Sequence, residues 1–354
     1  MLLIDGHLDV AMNALLLNRD LKKSALEIRF DEQLMMEDKG RGRGTIGLPD
    51  LRAADCAVSV VTVISRVKPR TGKESLDFSN HEACFAHSMG QLAWYHEMER
   101  QGWVRMLADW PAIEAHVAQW NADPANTPLG FVLSMEGADP VVEPAEVHAW
   151  YARGLRILSL AHYGPSKYAF GTGSVGPVTQ AGLELLDEMS KTNMILDVTH
   201  LCDKSWWMAV DRFQGPLMAT HNNCRALVPG DRQFTDEQIK HLIERDAVIG
   251  AAFDSWMLYP GWIRGVTDPA VTSLETVADH VDHICQIAGN ANHVAMGTDL
   301  DGGYGTEQTP RDLDTYVDMQ KIPDILRKRG YSEADIANIF HGNWLRLFKR
   351  TWSA

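Results

Sequence analysis

A chain of 354 residues, 45% hydrophobic and 23% charged, has ordinary globular composition and enough apolar material for a large core. Its formal net charge of −14 argues against nucleic acid or an anionic membrane surface as a partner. Five scattered cysteines without a Cys-x-x-Cys pair point to free thiols in a reducing, cytoplasmic setting, and neither a secretion signal nor a membrane-length apolar run is visible.

The chain opens on Leu2-Leu3-Ile4-Asp5-Gly6-His7-Leu8-Asp9. Residues 2–4 read as a strand that runs into His-x-Asp. Side chains alternate faces along an extended chain, so His7 and Asp9 project to one side. An imidazole nitrogen and a carboxylate converging there make half of a metal site. Residues 11–50 form a long excursion, and its Lys39-Gly-Arg-Gly-Arg-Gly44 segment predicts a mobile loop. Apolar runs predict further strands over 58–64, 131–135, 155–160, 194–198, 217–219, 247–253 and 293–297. Several are apolar on consecutive residues, such as Met194-Ile-Leu196, as suits strands covered on both faces in a parallel sheet.

Helical patterns separate the strands. They cover 80–101 and 111–120, and a third places Leu274, Val277, Ala278, Val281, Ile284 and Cys285 at helical spacing behind Thr272-x-x-Glu275. Thr235-x-x-Gln238 and Ser332-x-x-Asp335 open two more. Eight strands with intervening helices, and no linker rich in Pro, Gly or Ser, predict an α/β fold of the (β/α)8 TIM-type barrel class. The expected unit is a single domain over 1–354.

Six of the eight strands deliver a His, Asp or Glu at their carboxyl ends: His7 and Asp9, Glu136, His162, Asp197 and His200, His221, and Asp299 with Asp301. In this barrel that rim is where active sites are built. Singly, each residue has a bland reading. His200 and His221 could cap strand ends, Glu136 could accept amides in a turn at Gly137, and His162 could be a satisfied buried histidine. Asp299 and Asp301 beside Gly302-Gly303 could be an ordinary turn. Jointly the set favours a metal centre. The count suits two ions: His7 and Asp9 supply one, His200 and His221 the other, and the two oxygens of Glu136 bridge them around a shared water. The His and carboxylate mix favours Zn²⁺ over Mg²⁺ or Ca²⁺, with Mn²⁺, Fe²⁺ and Co²⁺ left open.

Together these residues resemble the renal (membrane) dipeptidase family of zinc peptidases, within the amidohydrolase superfamily. The matching segments are Asp5-Gly-His7-Leu-Asp9, Leu48-Pro-Asp-Leu-Arg52, Ser134-Met-Glu136-Gly137, Leu196-Asp-Val-Thr-His200, Thr220-His221, Arg232-x-x-Thr-Asp, Gly297-Thr-Asp299-Leu-Asp301-Gly302 and Gly342-Asn343-x-x-Arg346. They span nearly the whole chain in order. Leu8 stands where many members carry Asn, and the loops after His162 and His221 depart from the animal enzymes.

The resemblance implies a two-zinc dipeptidase acting on small dipeptides. His7, Asp9 and Glu136 would hold one Zn²⁺, and Glu136, His200 and His221 the other, with Glu136 and a hydroxide bridging them. Asp299 would be the acid/base group, His162 would stabilise the oxyanion, and Arg232 would grip the substrate's terminal carboxylate. It also implies tolerance of a D-residue at the carboxyl-terminal position. Lactone, cyclic-amide or N-acyl amino acid hydrolysis on the same centre is the alternative. The sequence leaves the oligomeric state open, a homodimer included.

Overall fold

The structure, a computed structural model, describes residues 1–68 and 76–353; the remainder of the expected 1–354 span lies outside the described residues. Eight strands form one parallel sheet in chain order: β1 (Leu3–Leu8), β2 (Cys56–Ile64), β3 (Leu129–Glu136), β4 (Leu155–Leu158), β5 (Ile195–Asp197), β6 (Leu217–Ala219), β7 (Val248–Ala251) and β8 (Val294–Met296). The longest ladder joins β2 to β3 from Val58↔Gly130 to Ile64↔Glu136. That register carries Glu136 to the carboxyl end of its strand. Nearly every strand residue is buried, because helices cover the outer face and side chains fill the inside. The alternating architecture and the near-closed ring make this a (β/α)8 barrel.

The ring closes between β8 and β1 through side chains. Asp5, fully buried, accepts hydrogen bonds from Thr298 N (2.9 Å), Thr298 Oγ1 (2.6 Å), Tyr316 OH (2.7 Å) and His7 N (3.1 Å). A buried carboxylate is tolerable only when so satisfied. The Asp299 amide adds a bond to the His7 carbonyl (3.2 Å). The seam thus sets the His7–Asp9 segment against the segment that carries Asp299. Close packing inside the barrel, against Thr220 and Gly250, also explains a glycine. A Cβ on Gly297 would lie 1.9 Å from the Thr220 carbonyl oxygen, so no larger residue fits.

All eight expected strands are present, as are the helices His81–Arg100 and Trp110–Ala122. The capping boxes at Thr235 and Ser332 form as read. One helix start differs: Leu274–Ala288 is capped by Ser273 with Thr276, because the Thr272 hydroxyl is engaged by Ser255 (2.8 Å). The 11–50 excursion is tied down. Arg19, buried, bonds Glu32 (2.9 and 3.0 Å), Asp301 (3.2 Å) and the Gly40 carbonyl (2.6 Å). Asp301 also accepts from Thr45 N and Oγ1, both at 2.7 Å. The glycine-rich segment expected to be mobile is therefore anchored to the barrel through Arg19 and Glu32.

A short strand, Val104–Met106, was not expected from the sequence; it pairs with Leu129–Phe131 at the start of β3. The Gly342-Asn343-x-x-Arg346 segment is structural. Asn343 donates to the Ala291 and Val294 carbonyls (2.7 and 2.8 Å), fastening the last helix, Asn343–Trp352, beneath β8.

Candidate active site

The carboxyl ends of the strands bring the expected residues into one cluster. One oxygen of Glu136 is its hub: Oε1 lies 3.1 Å from His200 Nε2, 3.5 Å from His221 Nε2, and 3.8 Å from both His7 Nε2 and His162 Nε2. His7 Nε2 is also 3.8 Å from Asp9 Oδ2 and from Asp299 Oδ1. His200 and His221 turn their Nε2 atoms together at 3.2 Å. Ligands of one tetrahedral Zn²⁺ stand about 3.3 Å apart, given bonds near 2.0–2.2 Å, so these spacings suit ions between the side chains. His7, Asp9 and Glu136 form one set of donors, and Glu136 with His200 another that His162 approaches. His221, at 3.5 Å from Glu136, lies closer to it than His162 and groups with His7 and Asp299 in a third set of donors.

The buried atoms test whether cations fit. Both ring nitrogens of His7 and Oδ1 of Asp9 are buried without a hydrogen-bond partner. Such orphans are costly unless something binds them. Burial pushes Glu136 up to about 8, and Asp299 well above the usual carboxylate range, with neighbouring carboxylates adding to the rise. Burial alone would lower His7, but Glu136, Asp9 and Asp299 outweigh it and raise it to about 10. So much anionic character in a buried space is what a pair of cations would relieve. Burial and nearby cationic groups hold His200 and His221 well below the usual imidazole range, which keeps them neutral, the state in which imidazole ligates.

Outer contacts orient these rings. Thr220 Oγ1 donates to Asp197 Oδ2 (2.7 Å) and so is left to accept from His221 Nδ1 (3.0 Å). The proton therefore sits on Nδ1, and the Nε2 lone pair faces the cluster. Thr172 Oγ1 serves His200 Nδ1 likewise (3.0 Å) while donating to the His200 carbonyl (3.2 Å). His162 is set the opposite way. Arg66 has only donors, and its Nη1 lies 3.4 Å from His162 Nδ1. The proton of the neutral ring is thus on Nε2, the atom facing Glu136. Burial, then Arg66 and Arg232, keep that ring neutral.

Backbone conformation marks the same residues. His200 and Asp299 adopt left-handed φ values of 67° and 57°. Each costs a non-glycine residue about 1–3 kcal/mol and persists where surroundings dictate it. Here the Thr172 hydroxyl holds the His200 carbonyl and the His7 carbonyl holds the Asp299 amide.

The cluster opens into a cavity of about 360 Å³, also lined by Lys39, Arg66, Tyr163, Arg232, Asp254, Tyr304 and Gln308. Arg232 is buried at its edge. Its Nη1 donates to Asn222 Oδ1, its Nη2 to the His221 carbonyl (2.9 Å), and its Nε has no partner. Asp301, two residues beyond Asp299, faces the excursion instead and bonds Arg19 and Thr45. Sequence reasoning gave no role to Thr172, Thr220, Arg66, Asp254 or Gln308. Thr220, adjacent to His221, and Asp254, directly after the apolar run 247–253, carried signals that could have been used.

The family model for Membrane dipeptidase (Peptidase family M19) matches residues 1–353. The chain belongs to the membrane dipeptidase family. An uncharacterized protein in the pqqA 5' region of Klebsiella pneumoniae is 30% identical over 235 residues, 63% of this chain and 83% of that protein. An uncharacterized dipeptidase of Schizosaccharomyces pombe, C3A11.10c, is 26% identical over 231 residues, 63% of this chain but only 53% of its own length. A metallopeptidase from Rhodobacter sphaeroides, solved with a phosphinate mimic of the dipeptide L-Ala-D-Ala, superposes with a TM-score of 0.79 at 22% identity, over 99% of both chains. Membership of the dipeptidase family and the two ligand sets make this chain a metal-dependent peptide hydrolase with a binuclear zinc-type centre. Among the described residues, no helix is long and apolar enough to cross a membrane.

Proposed function

We propose that the chain hydrolyses dipeptides with a free carboxyl terminus, D-residues at that position included, and that the residues clustered at the barrel rim divide the work. The observation that carries this reading is one cavity holding both a buried ligand cluster and an arginine with an unused buried donor. His7, Asp9 and Glu136 would hold one zinc ion, and Glu136, His200 and His221 the other. When bound, the pair supplies Lewis acidity toward a carbonyl oxygen and hydroxide at neutral pH.

The chain's own groups do the rest. Arg232 receives the substrate's terminal carboxylate through Nε and the Nη protons not given to Asn222 and His221. This anchors the peptide with its scissile bond over the cluster. His162 presents Nε2–H, fixed by Arg66, to the carbonyl oxygen as negative charge develops there. Asp299 takes the proton of the attacking water and delivers it to the leaving amine nitrogen. The Rhodobacter ligand, an L,D-dipeptide mimic, supports including D-residues. One large apolar core running from the first strand to the last helix supports reading 1–354 as one domain, and five buried free thiols support a cytoplasmic setting.

A panel of L-Xaa-D-Xaa and L-Xaa-L-Xaa dipeptides, offered to the zinc-loaded protein beside lactones and N-acyl amino acids, tests the reading. Turnover confined to the last two classes would refute it. Within the dipeptides, Arg232→Ala should raise KM by roughly 10–100-fold with a smaller change in kcat, since charge-assisted bonds of about 1.5–3 kcal/mol are lost. An unchanged KM would remove Arg232 from carboxylate binding.

A further inference from the structure

The wall of the cavity formed by the segment after β7 has no place in the mechanism above. Asp254 follows that strand and is 5% exposed; Gln308, 7% exposed, comes from the segment after β8. Both line the cavity, with Trp256, Met257 and Tyr304 beside them. Gln308 Nε2 donates to Asp254 Oδ1 (2.8 Å) and Oδ2 (3.0 Å), and Trp256 N donates to Oδ1 (3.2 Å). These bonds fix the carboxylate and leave acceptor capacity on it. They also turn the amide so that Gln308 Oε1 is buried with no partner. Among the described residues, no Lys or Arg lies within 4.0 Å ion-pair reach of Asp254.

A carboxylate with unused acceptor capacity and an amide oxygen with no donor thus stand side by side in a buried wall. A bridging water could donate to both, and a hydroxyl to one, but either would leave the charge unmatched. A primary ammonium or a guanidinium supplies several donors and the opposite charge together. The Trp256 and Tyr304 rings in the same wall suit a cation and its hydrocarbon stem. Arg232 lines the same cavity, so one substrate can engage both.

We propose that Asp254 and Gln308 form a cation-recognising subsite, so that this enzyme selects dipeptides presenting a positively charged group to that wall. The proposal rests on the dipeptidase reading of the cavity. The cation can come from a basic side chain on the carboxyl-terminal residue or from the substrate's own α-amino group. Either way Asp254 is a specificity-determining residue, in contact with substrate but not with the scissile bond.

The test compares L-Ala-D-Lys with L-Ala-D-norleucine, which match in length and differ in charge, and L-Ala-D-Ala with its N-acetyl derivative, using zinc-loaded wild type and Asp254→Asn. If the side chain is the source, wild type favours the lysine dipeptide at least tenfold in kcat/KM, and the ratio collapses toward one in the variant. If the α-amino group is the source, N-acetylation costs wild type at least tenfold through KM, and the variant loses that discrimination. Wild type showing neither preference overturns the proposal whatever the variant does. Calorimetry on the zinc-loaded Asp299→Asn protein, of D-lysine against D-norleucine and of L-Ala-D-Ala against its N-acetyl form, reads the same preferences with turnover suppressed. Failure of every dipeptide to turn over, with a tenfold binding preference retained, would sink the dipeptidase reading alone. Equal binding in both pairs would sink the subsite.

Discussion

Asp299→Asn is expected to lower kcat by about three orders of magnitude while leaving bound zinc near the wild-type level. The carboxylate sits within the cluster, Oδ1 3.8 Å from His7 Nε2 and Oδ2 3.9 Å from His221 Nε2, and its side chain retains 16% exposure toward the cavity. It is thus both near the reacting centre and open to substrate. Asn preserves the shape and tolerates the left-handed φ of 57°, so the loop should not rearrange. An amide cannot accept the proton of a nucleophilic water, so only the proton transfer is removed. Steady-state kinetics with elemental analysis on one sample checks both halves. Full activity would take Asp299 out of the chemistry, and loss of zinc would make it a ligand instead.

Glu136→Gln should strip both metal positions at once. Among the described residues its Oε1 is the one carboxylate oxygen within 3.8 Å of His7, His162, His200 and His221 together. Replacing it with a neutral amide removes a charged donor from both ligand sets. Activity should then fall to background. Ligand binding to the native state raises Tm, and the rise that zinc gives wild type should vanish in the variant. Retention of one tightly held zinc would show that the carboxylate serves only one position.

The parts legible in the sequence were those carried by short-range pattern. Apolar runs marked all eight strands, and the His, Asp or Glu after six of them marked the rim. His7 and Asp9 converge because alternation along an extended chain requires it. Asp299 and Asp301 show where pattern stops. They are two apart and both left-handed, at 57° and 60°, yet one faces the cluster and the other is clasped by Arg19 and Thr45. What separates them is the folding of the 11–50 excursion over the barrel, and local sequence carries no record of it.

The supporting groups were hidden for the same reason. Thr172 reaches His200 from a loop 28 residues earlier, and Arg66 reaches His162 across 96 residues. Neither spacing leaves a periodic trace. The Asp254–Gln308 pair joins segments 54 residues apart. The glycine-rich segment at 39–44 misled because glycine spacing reports backbone freedom alone, whereas the buried charges of Arg19 and Glu32 anchor it.

Titration of metal-free protein with zinc, followed by calorimetry and elemental analysis, tests the shared-glutamate centre most directly. Two equivalents per chain, with activity appearing only as the second is taken up, is the expected result. Saturation at a single equivalent with full activity, or no binding at all, would contradict it.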